Sequence, residues 1–413
     1  MSDLRALLTS YFLAGISAAG AKSTLPAVLL QSAPDGKTVI LGCGKAAAEM
    51  ADVAAGHLSG DITGCVVTRH GHGVGRSIAG VAVIEARHPV PDDQSLEAGE
   101  RLLELALTAG QGDRVLFLIS GGGSSLLCAP ATGITLTEKQ AMTDHLVRSG
   151  APIQDINLVR RHLSRVKGGR LAAVAGGRGA ELLTYAISDV ANDDPALIAS
   201  GPSVAAAFVP EQAIAILEGS GWHVAPHIIA AIHANHPPTV PVHPVHMLAT
   251  NSHALDAVSA RARADGWNVI NLGERLTGDA ATTGKTHAMH AQGMINQPGN
   301  HLLLSGGELT VSGARKDGCG GPNLEYLTGL LSALDPSDSI QAFAGDSDGI
   351  DGSEDNAGGY IDAAWVAHAN CAEALASNRT YDLFKSLGGL IITGPTRTNV
   401  NDIRMIAVRG SSQ

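Results

Sequence analysis

Aromatic residues are scarce in this sequence. Phenylalanine, tryptophan and tyrosine together make up 3% of its 413 residues, whereas 45% of the residues are hydrophobic and 50 are glycine. A core of alanine, valine, leucine and isoleucine with many tight turns is typical of α/β proteins. The composition therefore predicts an α/β fold, and the length predicts two domains.

Paired cysteines and an excess of positive charge are also absent. The five cysteines are isolated, without a C-x-x-C pair or a disulfide-like spacing, which predicts reduced thiols in a cytoplasmic protein. The formal net charge of −11 excludes a general nucleic-acid binder. An acidic protein that binds anions must gather its positive charge locally.

The N-terminal stretch contains no long apolar run. Its hydrophobic segment is short, and Asp3 stands where a signal peptide needs positive charge. The pattern is that of an amphipathic helix. We therefore predict neither a targeting segment nor a membrane span.

Strand and helix patterns alternate along the chain. Apolar runs such as TVILGC (38–43), RVLFLIS (114–120) and ELLTYAI (181–187) are separated by helical patterns. Strands that alternate with helices predict a largely parallel sheet, because each crossover helix returns the chain to the same edge.

A stretch rich in proline and histidine, 235–247, is interpreted as a linker. It separates an N-terminal α/β domain, 1–235, from a C-terminal α/β domain, 245–413, in which the strand-end loops are glycine-rich and acidic. We interpret the histidines of the linker as solvated, because prolines prevent the spacing that brings metal ligands together. These histidines are His236, His243 and His246.

Two helices are predicted around a basic cluster. The first, 136–150, would begin with a capping box of Thr137 and Gln140. The second, 156–169, would end at glycines and carry Arg161 and Arg165 on one face. The cluster is either a solvated helix face or a site for a carboxylate or phosphate. Its members are Arg160, Arg161, Arg165, Lys167 and Arg170.

Five predicted strands end in glycine-rich turns. In open parallel sheets, ligands bind beyond the carboxyl ends of strands, where glycine lets backbone N–H groups approach a phosphate. Flanking hydroxyl groups can donate further hydrogen bonds, so the turns together predict a phosphate-binding site. They are ILGCGK (40–45), LISGGGSS (118–125), LLSGGE (303–308), GDSDGIDG (345–352) and ITGPTRTN (392–399).

The first turn also permits a dinucleotide site. Gly42, Gly44 and Ala47 fit the relaxed fingerprint G-x-G-x-x-[GA]. Arg69 follows the second strand where an acid would contact the ribose, although an arginine could accept the phosphate of NADP. Lys45 suits direct phosphate contact better, as a mobile cation at a helix start.

Acidic residues are concentrated at several strand ends. A loop dense in acidic residues is either exposed to solvent or a binding site for a hard cation such as Mg²⁺. A Mg²⁺ ion needs only one or two carboxylates from the protein when substrate phosphates supply further ligands. Asp189 and Glu308 also follow strands and could join a metal shell. The acids of the densest loop are Asp346, Asp348, Asp351, Glu354 and Asp355.

Ten short motifs stand in order along nearly the whole chain. They are GCGKAAAEM (42–50), VTRHGHG (67–73), RHPVPDDQS (87–95), SGGGSSLL (120–127), NLVRRHLSRVKGGRLA (157–172), SDVANDDPALIASGP (188–202), SGGELTV (305–311), GCGGPNLEY (318–326), DGIDGSEDNAGGYID (348–362) and TGPTRTNVND (393–402). Together they resemble the glycerate 2-kinase family, some members of which were named hydroxypyruvate reductases. The combination is specific, whereas each motif alone would be weak.

The resemblance implies transfer of the ATP γ-phosphoryl group to the 2-hydroxyl of D-glycerate, with Mg²⁺. It implies two different α/β domains, the N-terminal one Rossmann-like with a three-layer parallel sheet, and an active site in the cleft between them. It also implies that Lys45 is important for catalysis. The sequence departs from the family at Pro322, where many members have arginine, and at Asp279, which replaces a glutamate.

The candidate site follows from these patterns. NAD(P)H-dependent reduction of hydroxypyruvate and binding of anionic metabolites without catalysis remain alternatives to the kinase. The expected partners are ATP and D-glycerate, with neither nucleic acid nor membrane, and the chain could assemble as a homodimer. The predicted catalytic residues are Lys45, Asp189 and Asp351. The predicted substrate-binding residues are Arg160, Arg161 and Lys167, and the predicted metal ligands are Asp189, Glu308 and Asp346. The residues predicted to bind nucleotide or phosphate are Gly44, Ser120, Gly121, Gly122, Gly123, Ser124, Ser125, Gly306, Gly307, Asn323, Thr396 and Asn399.

Overall fold

Twelve strands form two sheets in the computed structural model, which describes residues 4–30, 32–190 and 192–410. The α/β class is therefore confirmed. The strands are β1 Thr38–Cys43, β2 Ile62–Arg69, β3 Val81–Ala86, β4 Arg114–Ile119, β5 Glu181–Ile187, β6 Val245–Ala249, β7 Asn268–Leu276, β8 Asn300–Gly307, β9 Ile340–Asp346, β10 Gly358–Asp362, β11 Leu390–Ile391 and β12 Asp402–Arg409.

Helices lie between most of these strands. None of the helices in the described ranges has both the length and the apolar character needed to cross a bilayer. The helices are α1 Leu4–Ala19, α2 Ala21–Thr24, α3 Ala47–His57, α4 Asp93–Thr108, α5 Gly123–Leu126, α6 Leu136–Arg148, α7 Ile153–His162, α8 Arg170–Gly176, α9 Pro210–Gly219, α10 Pro226–Ala234, α11 Asn251–Ala264, α12 Ala280–Gln292, α13 Pro322–Leu331, α14 Cys371–Ser377 and α15 Thr380–Leu387.

The contacts divide the described chain into two units. One is Thr24–Leu248, and the other combines the residues up to Ser23 with those from Ala249 onward. In the second unit, α1 packs against α11 through Gly15, where an added Cβ would lie 3.0 Å from a methyl group of Val258. The N-terminal helix α1 therefore contributes to the core of the second unit, although its neighbours there lie much later in the sequence.

The sheet of the first unit has the strand order β3-β2-β1-β4-β5-β6. The pairs from β3 through β5 are all parallel. Strands β1 and β4 are buried along their whole length, as expected where helices cover both faces of a parallel sheet. The predicted Rossmann-like parallel sheet is confirmed, because this is the strand order of a dinucleotide-binding fold.

The sheet of the second unit has the order β11-β10-β9-β12-β8-β7. Only β7 and β8 pair in parallel, whereas β12 runs antiparallel to both of its neighbours, β8 and β9. Since β8 and β9 are both antiparallel to β12, they run in the same direction and end at the same edge of the sheet.

The start of α6 differs from the prediction. The side chain of Thr135 accepts a hydrogen bond from the Glu138 amide at 3.2 Å, and Glu138 accepts one from the Thr135 amide at 2.8 Å. The predicted box of Thr137 and Gln140 is wrong. Both pairs match the pattern T-x-x-[EQ], and the charged glutamate is the stronger acceptor.

Helix α7 ends earlier than predicted, at His162. The side chain of Asn235 donates to the carbonyl groups of His162 and Ser164 at 2.8 and 2.9 Å, which satisfies backbone acceptors where the helix stops. Arg165 therefore lies beyond the helix, and the prediction that it shares a helix face with Arg161 is wrong.

Two histidines of the predicted linker are packed against β5. His243 Nε2 lies 3.0 Å from Thr184 Oγ1, and the ring of His246 stacks on Tyr185 at 5.1 Å between centroids. The solvated interpretation is wrong for these two, because β6 joins the sheet beside β5. His236 is exposed.

Candidate active site

The carboxyl ends of β1 and β4 meet at the point where the strand order of the first sheet reverses. In open α/β sheets, ligands bind in the crevice at this switch point. The two turns are interlocked, since the Ser120 amide donates to Cys43 O at 3.0 Å and the Lys45 amide donates to Gly121 O at 2.9 Å. Ser120 Oγ accepts from the Ala46 amide at 3.0 Å. The two glycine-rich turns therefore form one structure.

Lys45 and the turn after β4 converge on Gly122. Gly122 has a positive φ of 78°, and an added Cβ would lie 3.2 Å from Lys45 Cγ and 3.3 Å from His88 Nε2. The side chains of Lys45 and His88 are both partly exposed. His88 was not predicted, although it belongs to the motif RHPVPDDQS. A lysine and an imidazole thus flank the bare backbone of the turn.

The three serines of this turn differ in their surroundings. Ser120 is fully buried and accepts from the backbone of the first turn, and Ser125 Oγ donates to Gly122 O at 3.3 Å. Ser124 is partly exposed, and its Oγ lies 2.6 Å from Ser200 Oγ. Of the three, Ser124 is therefore the one that is not buried. Sequence reasoning missed Ser200, whose only signal was the motif around ASGP.

The basic cluster is half-buried or buried. Burial lowers the pKa of Arg160 and of Arg161, and it lowers the pKa of Arg170 to about 10. Arg161 is attracted by Asp194, while its Nε has no hydrogen-bond partner within the ranges that the structure describes. Arg165 forms an ion pair with Glu100. So dense a group of buried cations favours the binding of an anion.

Lys167 has no exposed surface, although substrate contact was predicted for it. Its Nζ donates to Leu127 O at 3.1 Å and to Ala199 O at 3.4 Å. Burial, followed by repulsion from Lys139, lowers the pKa of Lys167 to about 7. Its contacts are thus with two backbone carbonyl groups, and the prediction of substrate contact remains for Arg160 and Arg161.

The second unit presents acids at the common end of β8 and β9. Glu308 directly follows β8 and is exposed, and Asp346 ends β9 and is partly exposed. Asp346 accepts a hydrogen bond from the Asp348 amide at 2.9 Å. Gly306 and Gly307 end β8 at the same edge, so these predicted residues of the second unit share one edge of the sheet, with β12 between the two strands.

A buried network supports this edge. Asp351 accepts from the backbone and side-chain amides of Asn323 at 3.0 and 3.2 Å, and from the Leu324 amide at 3.0 Å. Burial raises the pKa of Asp351 to about 7. Asn323 also donates to Asp402 at 2.7 Å, and Asp402 pairs with Arg404. These contacts hold the start of α13, and a catalytic role for Asp351 stays a prediction.

The remaining predicted residues are spread over several segments. Arg404 donates to Gly306 O at 2.8 Å and to Gly307 O at 3.0 Å, which fixes that glycine turn. The amide of Thr396 donates to Asp348 O at 3.0 Å, and Asn399 is buried. Asp189 follows β5 in the first unit and is partly exposed.

The predicted metal ligands fit a hard cation in their chemistry. Asp189, Glu308 and Asp346 each have accessible surface, and their oxygen atoms suit Mg²⁺. Asp351 does not fit, because it is buried and both of its oxygen atoms accept hydrogen bonds. Among residues 4–30, 32–190 and 192–410, no three His, Cys, Asp or Glu side chains are gathered to hold a metal ion. A cation here would need further oxygen ligands from a substrate.

Comparisons with known proteins cover nearly the whole chain. Residues 7–233 match a family described as a domain of unknown function, DUF4147, and residues 301–402 match the MOFRL family. A putative hydroxypyruvate reductase of Agrobacterium vitis is 42% identical over 90% of this chain and 100% of its own length. The D-glycerate 2-kinase of Thermotoga maritima is 34% identical, with 92% of each chain covered.

A solved structure also matches nearly the whole chain. The crystal structure of glycerate kinase from Thermotoga maritima superposes with a TM-score of 0.85 and 33% sequence identity. The superposition covers 98% of this chain and 99% of that one.

Proposed function

The chain belongs to the glycerate 2-kinase family and is a kinase, and from this we propose that it transfers the γ-phosphoryl group of ATP to the 2-hydroxyl of D-glycerate. The observation that carries the proposal is the convergence of Lys45, Gly122 and Ser124 at the switch point of the first sheet. Phosphoryl transfer requires positioning and charge neutralisation more than covalent chemistry. These groups supply a cation, a bare backbone and a hydroxyl donor.

Lys45 has the leading role in this mechanism. It stands at the start of α3, where the helix dipole adds partial positive charge. Its ammonium would neutralise the negative charge that develops on the transferring phosphoryl group. Ser124 would donate a hydrogen bond to a phosphoryl oxygen, while Ser200 holds its hydroxyl in place.

Mg²⁺, when bound, would supply further charge neutralisation at the phosphate groups. We propose that at least one of the strand-end acids contacts it, either Asp189 in the first unit or Glu308 or Asp346 in the second, since none of these residues is buried. The candidates for a base near the glycerate hydroxyl are Asp189, Glu308 and Asp351.

The substrate has a carboxylate, which the basic cluster can bind. Arg160 and Arg161 are half-buried, so their desolvated guanidinium groups would bind a carboxylate more strongly than exposed ones. We propose that these two arginines bind D-glycerate.

One structural observation favours the alternative, an NAD(P)H-dependent hydroxypyruvate reductase. The first sheet has the Rossmann strand order, and the relative from Agrobacterium vitis carries that name. Two observations disfavour it. Ser120 Oγ already occupies the Ala46 amide at the start of α3, where a pyrophosphate would bind, and Arg69 ends β2 in place of an acid.

One assay separates these activities. Purified protein with D-glycerate, ATP and Mg²⁺ is expected to form ADP and 2-phosphoglycerate, distinguished from its isomer 3-phosphoglycerate by ¹H and ³¹P NMR. The same preparation is mixed with hydroxypyruvate and NADPH, and the oxidation of NADPH is followed by its absorbance. Oxidation of NADPH without formation of ADP would contradict the kinase. Nucleotide binding in calorimetry without any turnover would favour a binding protein.

A further inference from the structure

The acceptors of Lys167 belong to two separate segments of the first unit. Leu127 directly follows α5 and lies two residues after Ser125 of the glycine-rich turn. Ala199 lies in a single 3₁₀ turn, Ile198–Ser200. The ammonium of Lys167 is therefore a buried link between the turn after β4 and a segment more than 70 residues further along the chain.

The second segment has an unfavourable backbone conformation. Ala199 and Ser200 have φ values of 53° and 62°, followed by Gly201 at 65°. A left-handed conformation is unfavourable for a residue other than glycine, so it persists only where surrounding contacts impose it. Here the amides of Gly168 and Gly169 donate to Ser200 O at 3.1 Å and Gly201 O at 2.7 Å. Gly168 and Gly169, which directly follow Lys167, therefore bind the backbone of this turn.

The left-handed turn places one hydroxyl group against the glycine-rich turn. Ser200 is fully buried, and its Oγ lies 2.6 Å from Ser124 Oγ. The backbone of Gly123 packs so closely that an added Cβ would lie 2.6 Å from Ala199 Cβ. A shift of Ala199 or Ser200 would therefore move Ser124.

We propose that Lys167 is a positioning residue for phosphoryl transfer, holding the left-handed turn 199–201 against the turn after β4 so that Ser200 orients the hydroxyl of Ser124. The proposal rests on the proposed function for its effect on turnover. Lys167 acts through Ala199, Ser200 and Ser124, and it does not itself touch the substrate.

The alternative is that Lys167 only fills the core. Replacing a buried charge by an apolar side chain of similar volume is often neutral or stabilising. A residue that only filled space would therefore tolerate methionine without change in the turns. A residue that positions Ser124 would lose its function in the same variant while the fold persisted.

The test is Lys167→Met in the full chain, with Lys37→Met as the control. Lys37 stands directly before β1, at the end of that strand away from the glycine-rich turns, and its Nζ donates to Thr108 Oγ1 at 3.2 Å. We expect Lys167→Met to keep its melting temperature and to lose about tenfold to 100-fold in kcat. We also expect amide exchange in 120–127 and 198–201 to become at least about tenfold faster. The control variant should keep the wild-type kcat and the wild-type rates of amide exchange.

Two results would overturn the proposal. One is unchanged kcat and unchanged exchange in Lys167→Met. The other is a lower melting temperature with normal kcat per folded molecule, which would assign Lys167 to the core alone. If the wild-type protein does not phosphorylate D-glycerate, the proposed function fails, while amide exchange still tests the link made by Lys167.

A second pair of variants applies if Lys167→Met does not fold. Ser200→Ala removes only a hydroxyl group, and we expect it to lower kcat about tenfold. Because Ser200 acts through Ser124, the double variant Ser124→Ala/Ser200→Ala should be no slower than Ser124→Ala. If the losses in kcat of the two single variants add in the double variant, Ser200 does not act through Ser124, and the proposal is wrong.

Discussion

Gly44 lies so close to Ser120 that a Cβ at position 44 would stand 2.3 Å from Ser120 Oγ and 2.4 Å from Ser120 O. Since Gly44 also has a φ of 122°, both the backbone conformation and the space require glycine here. This contact joins the turn after β1 to the turn after β4.

Gly44→Ala should destabilise the protein severely and abolish activity. The clash is with backbone and a buried hydroxyl, so the turn must move, at a cost of roughly 3 kcal/mol or more in the free energy of unfolding. Gly75→Ala is the matched control, because Gly75 also has a positive φ of 71° but no atoms within 4 Å of an added Cβ. It should cost only about 1 kcal/mol. Urea unfolding of both variants measures the difference, and equal losses would contradict the close contact.

Lys45→Ala should lower kcat far more than it raises KM. Loss of charge stabilisation in a transition state typically costs on the order of 10²–10³ in rate, or roughly 3–4 kcal/mol. Lys285→Ala serves as control, since Lys285 is an exposed lysine on α12. Steady-state kinetics with ATP and D-glycerate give both constants. Normal turnover with lowered stability would mean that Lys45 only supports the helix start.

Pro322→Arg addresses the departure from the family. Pro322 is the first residue of α13, at the position where the family resemblance leads us to expect arginine. If other cations of this chain already neutralise the phosphate, the added arginine should be neutral or harmful to kcat/KM for D-glycerate. A large gain would instead indicate that the natural site lacks a cation and serves a different substrate.

Asp351 should make stability depend on pH between about 4 and 7. Burial raises its pKa from 3.8 to about 7, so the folded chain binds this proton more tightly than the unfolded chain does. Its contribution to the free energy of unfolding is therefore fully present below pH 4 and is lost as the pH rises through 7. The loss is at most roughly 1.4 kcal/mol for each unit of pKa shift.

Asp351→Asn removes this titration and supplies the comparison. The difference in stability between wild type and variant should shrink as the pH rises from about 4 to about 7, as measured by urea unfolding at several pH values. A difference that stays constant with pH would contradict the raised pKa. The variant should be less stable at all these pH values, because its amide cannot accept all of the hydrogen bonds from Asn323 and Leu324.

Local patterns predicted the elements well where one signal dominated. The strands β1, β4 and β5 were recognisable because each is a continuous apolar run followed by glycine or serine. The start of α6 was misplaced because Thr135 and Thr137 both head a capping pattern, and local sequence does not rank them. The end of α7 was missed because its capping side chain, Asn235, lies 73 residues after His162.

The amino-acid sequence alone determined the α/β class, the glycine-rich strand ends and the membership of the family, because these depend on residue types at short spacing. Tertiary structure decided which of those residues face the crevice. Lys167 and Asp351 carry charge in the sequence and yet are buried, since carbonyl and amide partners from distant segments surround them. Ser124 and Ser200 are 76 residues apart and share a hydrogen bond only because the sheet brings the ends of β4 and β5 side by side. Hydrogen bonds between distant segments leave no periodic signal in a single chain, and only the folded backbone brings their partners within reach.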